Sequence, residues 1–249
     1  MEILNFNPED LKKYIDEGTL ISDSGFTSAV FANGSRVIKL QKELYKHLQV
    51  NNICFANSVV RDHYRWSQTP FVEKEQIEYL QEKQKDIQLT TFDKGIVTIN
   101  NKGQEIICGI ILNNLLDHKD LTNISLTEIS TLLKILSNIL KAIKELDDNK
   151  ISHLDLAKQI SGKQPTLNIL YKGTDIELCD LSGEFITYGD KFNRAEMYLQ
   201  YAKVISILLR KLKNIYPEIV ELISSLELEK VVNYDLASSS LEKINKLTR

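Results

Sequence analysis

Cysteine is scarce in this chain: three in 249 residues, at positions 54, 108 and 179. None of Cys54, Cys108 and Cys179 falls in a CxxC or a Cys/His ligand spacing. A disulfide-stapled scaffold and a zinc module are thereby excluded, and a reducing compartment is expected. No run of eighteen apolar residues is present, so no membrane-spanning helix is expected. The formal net charge is only −3, which removes the basic surplus that a nucleic-acid partner would call for. Met1–Phe6 carries no basic stretch ahead of an apolar one, so no Sec-type leader is expected either. Internal repeats and low-complexity tracts are absent. What remains is an ordinary globular composition, 43% hydrophobic and 26% charged, long enough for one large domain or two small lobes. The expectation is a soluble, cytoplasmic protein.

Local patterns divide the chain into a sheet-rich first half, residues 1–112, and a helical second half, 113–249. Asn7-Pro8-Glu9-Asp10 reads as an N-cap, a proline at the first helical position and acids in the first turn, with a stop near Gly18. Ala29-Val30-Phe31 and Arg36–Leu40 are strand-like and flank Asn33-Gly34, a strong hairpin signal. A helix is expected over Lys42–Val50, and a charge-rich one from Thr69-Pro70 to Asp86. Strands return at Gly95–Ile99 and Glu105–Leu112 around a turn at Asn100–Gly103. Ser125–Leu146 has apolar residues at helical spacing. Short strands are expected at 168–171 and 177–179, then helices at 195–212, 217–226 and 239–247. The segment of about 44–70, with His47, His63 and Trp66, is longer than a strand-to-helix link needs and reads as an insertion. Two histidines sixteen residues apart do not make a metal site.

Three short motifs carry chemistry. His153-Leu154-Asp155-Leu156 follows the long amphipathic stretch, Asn168-Ile169-Leu170 opens a strand, and Asp180-Leu181-Ser182-Gly183 follows another. A carboxylate that orients a hydroxyl, with an amide and a second carboxylate to hold magnesium on nucleotide phosphates, is the set that phosphoryl transfer needs.

These motifs, in this order, resemble the eukaryotic-like protein kinase superfamily, as a small, atypical bacterial-type member. The resemblance spans nearly the whole chain at the level of motifs. It implies an α+β, bilobal protein-kinase-like fold, with a small sheet-rich N-lobe and a helical C-lobe. Asp23–Val30 is similar to the glycine-rich loop over the phosphates, matching it at Gly25 and Val30. Val37-Ile38-Lys39 is similar to the strand that carries the phosphate-binding lysine. A helix glutamate should steer that lysine. Glu75, sharing a side with Val72 and Tyr79, is preferred over Glu78. The resemblance makes Asp155 the residue that orients the attacking hydroxyl, His153 a structural residue, and Asn168 and Asp180 the Mg²⁺ ligands. It implies ATP and Mg²⁺ as cofactors and a protein or small-molecule hydroxyl as acceptor.

Departures from the family pattern are specific. Its asparagine lies five residues after the catalytic aspartate, but here position 160 is Ile and Asn168 comes thirteen residues on. Residues 157–167 must therefore bulge outward, which Gly162 and Pro165 permit. Lys158 stands one position from the family's loop lysine. Leu154 replaces the arginine that grips a phosphorylated activation loop, and only fifteen residues separate Asp180 from Glu196. An atypical serine/threonine protein kinase is the leading expectation. A kinase of a small molecule or lipid head group, a nucleotide-binding pseudokinase and a helical scaffold with chance motifs are the alternatives.

Overall fold

The computed structural model describes residues 1–22, 28–49, 72–101, 104–126, 128–158 and 164–248. The architecture is mixed α+β, and the chain divides into two compact units. Met1–Glu82 and Phe92–Leu115 form the first. Lys83–Thr91 and Leu116–Arg249 form the second.

The first unit is built on a six-stranded sheet. Its strands are β1 (Glu2–Phe6), β2 (Thr19–Ser22), β3 (Ser28–Asn33), β4 (Arg36–Gln41), β5 (Gly95–Asn101) and β6 (Gln104–Leu112). Their order is β1-β5-β6-β4-β3-β2. Only β1 joins in parallel, along β5, and all other pairs are antiparallel. The β3–β4 turn is Gly34-Ser35 rather than Asn33-Gly34, because Asn33 pairs with Arg36. Gly34 takes the positive φ of 58° that a tight hairpin asks of its first central residue. Helix α1 (Pro8–Asp16) begins where Asn7 caps it, its side chain accepting from the Asp10 N–H at 2.8 Å.

Strand alternation separates the two faces of this sheet. On one, Phe31, Ile38, Leu40, Val97 and Ile99 pack with Leu11 and Ile15 of α1 and with Leu44 and Leu48 of α2 (Lys42–Gln49). On the other, Ile96 and Ile110 pack with Val72 and with Ile77 of α3 (Lys74–Lys83). The expected start of α3 at Thr69-Pro70, most of the 44–70 insertion with His63 and Trp66, and the tip of the β5–β6 hairpin lie outside the described residues.

In the second unit, α4 (Ile129–Asp148) buries Leu132, Ile135, Leu136, Ile139, Ile143 and Leu146. It starts later than its apolar periodicity suggests: Leu126 is buried but precedes the helix. Helix α5 (Arg194–Leu212) is the central element, buried along most of its length, with Tyr201 donating to the Leu136 carbonyl at 3.0 Å. Helices α6 (Ile219–Ser225) and α7 (Tyr234–Leu247) follow. Helix α7 begins earlier than expected because Asn233 caps it, accepting from the Leu236 N–H at 3.0 Å.

The strands of this unit are short: β7 (Lys119–Asp120), β8 (Ile151–His153), β9 (Ala157–Lys158), β10 (Thr166–Leu167), β11 (Ile169–Lys172), β12 (Asp175–Leu178) and β13 (Ile186–Tyr188). They pair as β12-β11-β7, β10-β9 and β13-β8. Residues 83–91 are a strap held by two carboxylates. Glu145 accepts the N–H groups of Gln88 and Leu89, each at 2.8 Å, and Glu177 accepts that of Thr91 at 2.5 Å.

Candidate functional site

The chemistry-bearing residues of the second unit are joined by one web of hydrogen bonds. His153, fully buried, ends β8. Its Nε2 lies 2.7 Å from the Cys179 carbonyl, which can only accept, and its Nδ1 takes the Asp155 N–H at 3.2 Å. These two partners require the neutral, Nε2-protonated imidazole. The ring is thus spent on holding the Asp155 and Cys179 backbones, a structural role.

Asn168 closes the web. Its side-chain Nδ2 donates to the Asp155 carbonyl at 2.6 Å and approaches the Asp155 carboxylate Oδ2 at 3.4 Å. Its main chain donates to the Leu156 carbonyl at 2.9 Å and accepts the Cys179 N–H at 3.0 Å. Ala157 pairs with Leu167 and Lys158 with Thr166, which returns the chain to Asp155; residues 159–163 of the expected bulge lie outside the described residues. Lys158 is exposed and stands 5.9 Å from the centroid of the Phe185 ring.

Asp180 follows directly on Cys179. It is exposed and has a φ of 56°, a left-handed conformation uncommon for a side-chain-bearing residue. The next residue, Leu181, is buried, and the Leu154 N–H donates to the Phe185 carbonyl at 2.8 Å, so the 180–185 segment is tied back to the 153–155 loop.

In the first unit, Lys39 lies at the middle of the sheet. Val30 and Ile110 flank it directly across β3 and β6, and Ile96 lies opposite Ile110 on β5. These four form one row on the face that α3 covers. Val30 and Lys39 are half-buried. Gly25 lies outside the described residues; the strands on either side of its loop, β2 and β3, are paired antiparallel.

The helix face requires a correction. Glu75 was expected on the packed side with Val72 and Tyr79. The residues buried are Val72, Gln76, Ile77 and Leu80, while Glu75 and Glu78 are exposed, and Glu78 reaches Lys74 at 3.7 Å. Within α3 the buried positions are Gln76, Ile77 and Leu80, with Val72 buried just ahead of the helix, so the polar side chain that α3 turns inward is Gln76. Both 75 and 76 satisfy helical spacing from Val72, and hydropathy alone does not choose between two polar residues.

Oxygen donors suited to a small hard cation are present. Asn168 makes both bonds to Asp155 through Nδ2, so its amide oxygen is not spent on them, and Asp180 presents a carboxylate at the surface. Among the described residues no group of three or more His, Cys, Asp or Glu forms a self-sufficient metal centre. A donor set of one amide and one carboxylate fits magnesium shared with phosphates, because that ion takes few protein ligands. Sequence reasoning missed Gln200 of α5, whose Oε1 accepts the Ala157 N–H at 3.2 Å; it lies in an apolar stretch and carries no motif. No model of a known protein family matches this chain, and a search of curated proteins finds no match.

Proposed function

We propose that this protein is an ATP- and Mg²⁺-dependent phosphotransferase with the bilobal protein-kinase-like fold, acting on a hydroxyl acceptor. The observation that carries the reading is the bond from Asn168 to Asp155, which with the β9–β10 pairing keeps the expected pair together despite its altered spacing. The left-handed Asp180 and the structural His153 add support. So does the lysine, which sits on the third strand of the antiparallel run that starts at β2, the strand the family uses.

The reading gives each residue a task. Asp155 orients the acceptor hydroxyl and receives its proton while the oxygen attacks the γ-phosphorus and the bond to the ADP leaving group breaks. Asn168 and Asp180 would hold Mg²⁺, which would supply charge neutralisation on the nucleotide phosphates. In the first unit, Lys39 takes the α- and β-phosphates, with Gly25 and Val30 belonging to the covering loop and strand. A serine or threonine of a protein is the leading acceptor.

A second reading, phosphorylation of a small molecule or lipid head group, is favoured by one observation. The stretch after Asp180 is short and is taken up by β13 and a 3₁₀ turn at Gly189–Lys191 before α5 begins. Little chain is left there to form a platform for a peptide.

The test is thermal unfolding with ATP, with and without Mg²⁺, for wild type and Asp180→Asn. A Mg²⁺-enhanced rise in Tm that Asp180→Asn abolishes is expected. No shift in any condition would sink the reading, and a shift indifferent to Mg²⁺ and to Asp180 would favour a nucleotide-binding pseudokinase.

A further inference from the structure

We propose that Gln200 is a positioning residue for Asp155, acting through the Ala157 amide; the assignment rests on the phosphotransfer reading above. Gln200 is 4% exposed on a helix whose neighbouring positions Met197, Tyr198, Tyr201 and Val204 are buried and largely apolar. An amide in such surroundings is costly unless its hydrogen bonds are made. Gln200 makes one from each end. Oε1 accepts the Ala157 N–H at 3.2 Å, and Nε2 donates to Glu196 Oε1 at 2.9 Å. The two partners fix the amide orientation, since an N–H demands an acceptor and a carboxylate a donor.

Glu196 lies 3.5 Å from the Lys203 ammonium. A polar chain therefore runs from a surface lysine through Glu196 and Gln200 to the loop, two residues beyond Asp155. Asn168 restrains the same loop from the other side, at the Asp155 and Leu156 carbonyls. With Gln200 in place, residues 155–157 are held by both Asn168 and Gln200, and the Asp155 carboxylate inherits that fixed direction. Reacting groups displaced by about 1 Å lose roughly 10²-fold in rate, which is why such a pin matters.

The experiment measures steady-state, Mg²⁺-dependent ATP hydrolysis and Tm for wild type, Gln200→Leu, and the exchanged pair Glu196→Gln with Gln200→Glu. In the exchange the carboxylate at position 200 accepts from the Ala157 N–H as before and the amide at position 196 donates to it, so both bonds are restored, the 196–200 bond with its direction reversed. Gln200→Leu is expected to lower kcat by about 10²-fold with KM for ATP changed by less than about twofold. The exchanged pair is expected to recover most of that loss. If Gln200→Leu does not fold, Gln200→Glu alone, which sets two carboxylates together, takes its place against the same exchange.

Unchanged kcat in the single variant, or a loss that the exchange leaves intact, overturns the positioning role. Wild type that neither binds nor hydrolyses ATP with Mg²⁺ overturns the phosphotransfer reading itself, before any variant is compared.

Discussion

Asn168 donates from its side chain to the main-chain carbonyl of Asp155 at 2.6 Å, although it lies thirteen positions further along the chain. The bond makes Asn168 two things at once: a brace for the Asp155 loop and an oxygen donor beside it. Asn168→Ala removes both. It is expected to lower stability by about 0.5–1.5 kcal/mol in urea unfolding and to abolish the Mg²⁺-dependent part of the ATP stabilisation. Asn168→Asp keeps oxygen donors but loses the Nδ2 donor and faces the Asp155 carbonyl with negative charge. Its stability should fall at least as far while some Mg²⁺ response survives.

Asp180 should separate backbone from chemistry. Its φ of 56° is tolerated by Asn and Gly, but costs most other side chains about 1 kcal/mol. Asp180→Ala is therefore expected to be about 1 kcal/mol less stable than Asp180→Asn or Asp180→Gly. All three should lose the Mg²⁺-enhanced shift, worth about 2.7 kcal/mol at a hundredfold excess of ligand over its Kd. Urea unfolding of the free proteins and thermal shifts with ligand check the two halves.

Glu177 provides a pH signature. Burial pushes its carboxyl above the ordinary value of 4.5, outweighing the Thr91 N–H and His118, which pull it down. An acid whose folded value lies above its unfolded one holds its proton more tightly in the folded protein. The stability it contributes is present below its ordinary range and is lost as pH rises through the folded value. Glu177→Gln keeps an oxygen for Thr91 and is never charged, so it should raise Tm near neutral pH. The advantage should vanish below about pH 4, a comparison that scanning calorimetry across pH makes directly.

Gly109 sets how closely β6 approaches the strand of Lys39. A Cβ there would come within 2.6 Å of the Lys39 carbonyl oxygen and 2.7 Å of Leu40 Cδ2. Main chain cannot swing aside as a flexible side chain does. Gly109→Ala should cost about 1–3 kcal/mol in urea unfolding and weaken ATP stabilisation by shifting Lys39.

Most helices and the β3–β4 and β5–β6 hairpins were legible because their signals are local. Asn7-Pro8 starts α1, and the stripe from Leu132 to Leu146 defines the packed face of α4. Strand β1 was not legible. Its partner β5 lies some ninety residues on, and parallel pairing to a distant strand leaves no mark in five residues. The nearness of Asn168 to Asp155 was legible, because each stands in a motif. The contact of Gln200 with the same loop was not, because Gln200 carries no motif.

The sequence by itself determined which groups are available: two carboxylates, an amide and a lysine, each at the edge of a short apolar run that hydrophobic burial turns into a strand or helix. Tertiary structure decided which of them meet. The β9–β10 pairing closes the long interval so that Asn168 reaches Asp155. Packing of α3 on Ile96 and Ile110 turns Gln76 inward and leaves Glu75 in solvent. The physical reason is common to both. Side-chain chemistry is written residue by residue, whereas register and helix rotation are set by the summed burial of many side chains, and a shift of one residue redirects every one of them.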